Sequence, residues 1–156
     1  MSFSRLLERF RDGFSSHAPA GAKTEDPLRL ATAAVLLEIA HADGEFTPAE
    51  DGDVVGFLKN AFQLDEAGVR ELIRTADDIR QHTIDHFALT NYIRRNATIE
   101  ERIEVVKTMW RVAYSDGRLT EYENYLVRKL ADLLGIEHRT MIEAKVDVLR
   151  ERGEAV

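Results

Sequence analysis

Apolar positions recur at helical spacing along almost the whole of this chain. Phe3, Leu6, Leu7, Phe10 and Phe14 share one face, with arginines and acids opposite, which predicts a short amphipathic helix. Residues 15–21 read as a flexible linker. Asp26-Pro27 then supplies an N-cap and a proline at the first helical position. From Leu28 to Ala42 nearly every residue is apolar or small, the exceptions including Arg29, Thr32, Glu38 and His41. A helix apolar nearly all round is expected at the centre of the molecule.

Further stripes follow at Val54, Val55, Phe57, Leu58, Ala61 and Phe62, and then at Val69, Leu72, Ile73 and Ala76. A third runs through Ile84, Phe87, Ala88, Tyr92 and Ile93, and its helix closes on Arg94, Arg95 and Asn96, residues suited to a negative helix end. Thr98-Ile99-Glu100-Glu101 is a capping box. The helix it opens carries Ile103, Val106, Met109, Trp110 and Ala113. Tyr125, Leu126, Leu130, Leu133 and Leu134 form the next stripe, stopped by Gly135, and Met141, Ile142, Val146 and Leu149 form the last. No segment asks to be a strand.

One phrase occurs twice. Ala42-Asp43-Gly44-Glu45-Phe46-Thr47-Pro48-Ala49-Glu50 and Ser115-Asp116-Gly117-Arg118-Leu119-Thr120-Glu121-Tyr122-Glu123 each follow an apolar helix and precede an amphipathic one. The copies align at an offset of 73 residues through the turns and 72 beyond them. The expected fold is all-α: a seven-helix, bundle-like domain built from two pseudo-repeated helix-turn-helix units, plus the N-terminal amphipathic helix. Residues 1–25 are assigned to that helix and its linker, and residues 26–152 to the domain. Either copy alone would be marginal, so the two should bury each other's apolar faces. Glu38 and Arg111 occupy equivalent positions on the two central helices and could meet across a pseudo-twofold axis, or each could lie on a solvated stripe.

The 156 residues suffice for one domain with a real core. A net charge of −7 repels phosphates and argues against nucleic-acid binding. The absence of cysteine excludes disulfides, thiolate metal sites and a cysteine nucleophile. No apolar run is long enough to span a bilayer, and the charged N-terminus lacks a secretory h-region, so a cytoplasmic protein is expected.

Candidate chemistry is confined to the turns. Asp43, Glu45, Glu50, Asp51 and Asp53 crowd the first one, and carboxylates so placed repel one another unless a cation sits among them. Calcium, magnesium or manganese would suit such oxygen donors. The loop is not an EF-hand, because Val54 stands where that motif needs a bidentate glutamate. A purely architectural reading competes. Thr47–Glu50 and Thr120–Glu123 are both capping boxes, and Gly44 and Gly117 lie where a helix must end. Capping covers Glu50 and Glu123 but leaves Glu45 and the Asp before each Gly, Asp43 and Asp116, without a role. In the second turn Arg118 replaces Glu45. His82 and His86 are four apart, a spacing that can share a helical face. No GxSxG, P-loop, GxGxxG or HExxH occurs, so no enzyme is expected.

The duplicated Asp-Gly phrases, each behind an apolar helix, resemble those of the tellurite-resistance protein B (TerB) family over about residues 28–150. Similar domains occur in a membrane-anchored DnaJ-like co-chaperone. The resemblance implies an all-helical, non-enzymatic cytoplasmic module, at most peripheral to the inner membrane, that binds divalent metal through acids near the turns. Carried over, the candidate ligands are Asp43, Glu45 and Glu50 in the first copy and Asp116 and Glu123 in the second, with Arg118 departing from the acidic pattern. It also implies protein partners in a tellurite or stress-response complex, including a membrane-embedded one. The alternative is a structural protein–protein adaptor with no metal site. Residues 1–25 lie outside the resemblance and could dock on a membrane surface or on their own domain.

Overall fold

The computed structural model describes residues 26–42, 47–82, 86–115, 117 and 119–153. Seven helices lie among them: α1 Pro27–Ala40, α2 Pro48–Phe62, α3 Glu66–His82, α4 His86–Asn96, α5 Ile99–Ala113, α6 Glu121–Leu133 and α7 His138–Glu151. No strand occurs among the described residues. The N-terminal amphipathic segment, its linker and Ile84 lie outside them.

Helix α1 starts as its sequence demands. The Asp26 carboxylate accepts from the Leu28 N–H at 3.0 Å, and Pro27 occupies the position that needs no donor. Helix α1 packs against α2, α3, α4, α5 and α6, and α5 packs against α1, α2, α4, α6 and α7. Both are therefore central, α1 as its nearly continuous apolar run predicts. Leu30, Leu36, Leu37 and Ile39 of α1 and Val106, Met109, Trp110 and Val112 of α5 are fully or almost fully buried. Trp110 also donates its indole N–H to the Met141 carbonyl at 3.2 Å, tying α5 to α7.

Three stripes differ from expectation. In α4 the buried face is Leu89, Thr90, Tyr92 and Ile93, while Phe87 is 56% exposed. In α6 Tyr125 is 57% exposed and Val127 takes its place inside. In α7 the buried residues are Met141, Ala144 and Val148, and Ile142 is 38% exposed. In each case the smaller residue, Thr90, Val127 or Ala144, lies on the face packed against the neighbouring helices and a bulkier one stays outside.

Glu38 and Arg111 do not pair with each other. Glu38 accepts from Arg80 on α3 at 3.3 Å, and Arg111 binds Glu151 on α7 through two hydrogen bonds of 3.0 and 3.1 Å. Nor does either lie alone on a solvated stripe. Each central helix is instead pinned by a charge pair to the helix two elements on.

Candidate metal centre

The two turns join α1 to α2 and α5 to α6, the central helices to their amphipathic successors. Asp43, Glu45, Asp116 and Arg118 lie outside the described residues, and so does Gly44. The flanks of both turns are described. Helix α1 closes with the Ala42 N–H on the Ile39 carbonyl at 3.1 Å, and α5 with the Ser115 N–H on the Val112 carbonyl at 3.2 Å. Gly117 has a φ of 87°, the left-handed value that glycine adopts without strain.

The far side of each turn is a closed capping box. The Thr47 N–H donates to Glu50 Oε1 at 2.9 Å, and the Glu50 N–H donates to Thr47 Oγ1 at 3.2 Å. The Thr120 N–H donates to Glu123 Oε1 at 3.0 Å, and the Glu123 N–H returns to Thr120 Oγ1 at 3.0 Å. These bonds satisfy donors that a helix start leaves orphaned.

A third box provides a built-in comparison. At Thr98 and Glu101 the same bonds form, at 2.7 and 3.1 Å. Yet Glu101 is exposed, whereas Glu50 and Glu123 are 2% and 1% exposed. The capping bonds are thus common to all three sites, whereas the burial is confined to two of them. Removing an ionised carboxylate from water is expensive unless other charges or donors compensate. The positive end of the following helix provides part of that compensation.

The other acids of the first turn disperse. Asp51 turns to α3, where it accepts two hydrogen bonds from the Arg70 guanidinium at 2.8 and 3.0 Å. Asp53 lines a cleft between α2 and α5; burial raises its pKa, while the positive charges of Arg152 and Arg111 oppose that rise. Successive helical positions diverge by about 100°, so acids packed in sequence need not meet in space. Among the described residues no three Asp, Glu or His side chains converge as a metal cage would require. Of the predicted ligands, the described pair Glu50 and Glu123 sit one at each turn.

The histidine pair does not share a helix: His82 ends α3 and His86 begins α4. A ring nitrogen of His82 lies 2.8 Å from the carbonyl of Asp78 on its own helix.

The burial of Glu50 and Glu123 had a partial signal. Each stands four residues before a fully buried valine, Val54 or Val127, so the apolar stripe extended backwards lands on it. The same extension from Val105 lands on Glu101, which opens into the cleft instead. Only the packing of the helices separates the cases.

No curated protein and no solved structure matches this chain. The family model for tellurite resistance protein TerB matches residues 29–146, from the first turn of α1 into α7 and across both capped turns. The chain therefore belongs to the TerB family.

Proposed function

We propose that this TerB-family module holds a divalent cation at its first acidic turn, with Asp43, Glu45 and Glu50 as ligands, and binds more weakly at the second through Asp116 and Glu123. The observation that carries the reading is the contrast among the three capping boxes. Glutamates after the Asp-Gly turns are buried, and the one elsewhere is not. A cation at those turns would sit beside a buried carboxylate, where low exposure to water strengthens its attraction. The donor set fits a hard ion, since it consists of carboxylates without sulfur or imidazole, and calcium, magnesium or manganese are the matching choices. Arg118 places a competing positive charge in the second turn, which makes the two sites unequal.

The role is non-enzymatic. The metal would fix the turns between the central and amphipathic helices, so that the module presents one surface to protein partners, including a membrane-embedded one, in a tellurite or stress-response complex. Among the described residues no helix is long and apolar enough to cross a membrane. A melting curve tests the metal. Calcium, magnesium or manganese at millimolar concentration should raise the Tm, and Asp43→Asn should remove the rise. No rise with any of the three sinks the reading.

A metal-free adaptor is the second reading, favoured by Tyr122 and Tyr125 of α6. They are 54% and 57% exposed and stacked at 6.4 Å, the kind of rigid aromatic surface that interfaces use.

A further inference from the structure

A cleft of about 570 Å³ opens between α2 and α5, with the start of α1 and the end of α4 at its base. Leu28, Phe57 and Phe62 line it while only partly buried, so apolar surface remains open there. Its α2 wall contains Gly52 and Gly56, one helical turn apart, and a Cβ at either would meet nothing within 4 Å. Glycine is the least favoured ordinary residue inside a helix. No packing among the described residues requires it here, so the wall is kept flat towards the cleft. The described lining carries three acids, Asp53, Glu101 and Glu104, and one cation, Arg111, whose guanidinium already binds Glu151; outside the lining, Arg152 acts on Asp53 and Lys107 lies 3.8 Å from Glu104.

We propose that residues 3–14 of this chain dock in this cleft as an amphipathic helix. Phe3, Leu6, Leu7, Phe10 and Phe14 stand at i, i+3, i+4, i+7 and i+11, the anchor spacing with which a helix fills an apolar groove. Arg5, Arg9 and Arg11 outnumber Glu8 and Asp12 and so complement the three acids of the lining. The tether is also in the right place, because Leu28 lines the cleft just after the described chain begins at Asp26. Residues 15–25 can span up to about 37 Å at roughly 3.4 Å each, which reaches any part of a cleft that a twelve-residue helix of about 18 Å would occupy. A tether this short gives the segment a millimolar effective concentration at its own groove, ahead of any free partner.

The chain has no cysteine, so Ser4→Cys gives a single nitroxide attachment point in the full-length protein. In dilute solution, paramagnetic broadening should be strongest at the amides of Gly52, Gly56 and Glu104. It should disappear from them in Leu7→Asp/Phe10→Asp and weaken in Gly56→Leu, which fills the groove from the other side. Broadening spread evenly over the surface, or unchanged by both variants, overturns the proposal. So does broadening that appears only when labelled chains are mixed with unlabelled isotope-enriched ones, which assigns the groove to a second copy. Groove signals untouched by the label while the segment binds phosphatidylserine vesicles make it a membrane anchor and also overturn it.

Discussion

Thr47 and Glu50 hold each other across the first turn of α2, backbone to side chain in both directions, and the carboxylate that does this is 2% exposed. Thr98 and Glu101 form the same reciprocal pair at the start of α5 with the carboxylate in solvent. Replacing the cap should separate the two. Thr98→Ala should cost about 1 kcal/mol, the usual value of an N-cap. Thr47→Ala and Thr120→Ala should cost more, about 2 kcal/mol or above, because each removes the hydroxyl that accepts from the backbone N–H of a buried glutamate and leaves that donor unpaired away from water. Urea denaturation of the three variants measures this order, and three equal losses would show that burial of the glutamate adds nothing.

Gln63 and Gly135 occupy the same place after α2 and α6, and both have left-handed backbones, with φ of 54° and 75°. After α6 the Gly135 N–H bonds the Asp132 carbonyl at 3.0 Å and the Ile136 N–H bonds the Ala131 carbonyl at 3.0 Å, the double bond of a Schellman motif. Glycine accepts that backbone freely and glutamine does not. Gln63→Gly should therefore stabilise the protein by about 1 kcal/mol. Gly135→Ala should destabilise it by about 1–3 kcal/mol, since a Cβ there would lie 2.9 Å from Arg94 Cδ on top of the backbone strain. Thermal melts of both variants check the opposite signs.

Trp110 is fully buried between α5 and α7, with its indole bonded to Met141 and Lys145 5.2 Å from its ring centroid. Trp110→Ala should cost about 3–5 kcal/mol, a large share of the stability of a domain this size. Loss of under about 1 kcal/mol in chemical denaturation would contradict its place at the core.

Asp53 gives the protein a pH dependence of definite sign. Burial raises its pKa above the ordinary carboxylate value, so the folded state holds the proton more tightly than the unfolded chain does. Its ionisation therefore costs stability as pH rises through the window just above 3.8, and the penalty persists at neutral pH. Asp53→Asn should be more stable than the parent at pH 7, with the difference shrinking as pH falls towards 3. A pH series of melting curves on the two proteins reads the difference, and a gap that widens on acidification contradicts the assignment.

The sequence displayed the architecture more fully than the chemistry, for a physical reason. Helix existence follows from local spacing, caps and stops, all of which Asp26, Thr47, Thr98, Thr120 and Gly135 announce. Burial phase depends on which neighbour a helix meets. That is why Phe87, Tyr125 and Ile142 are exposed where their spacing alone placed them inside. The acids behaved likewise. Asp51 went to Arg70 and Asp53 to the cleft, directions that linear crowding does not encode. Glu38 and Arg111 each took a partner on α3 or α7 instead of one another, because a charge settles with the nearest opposite charge.

The contrast between buried Glu50 and exposed Glu101 matters for function only if a cation occupies the first turn. Isothermal calorimetry of the chelator-treated full chain with calcium, magnesium and manganese, repeated on Asp43→Asn and Glu101→Gln, addresses that directly. Binding by at least one of the metals is expected, abolished by Asp43→Asn and unaffected by Glu101→Gln. At 100 times its Kd the bound ion should add about 2.7 kcal/mol to stability. No heat of binding for any of the three ions, or binding that survives Asp43→Asn, would contradict a metal centre at this turn.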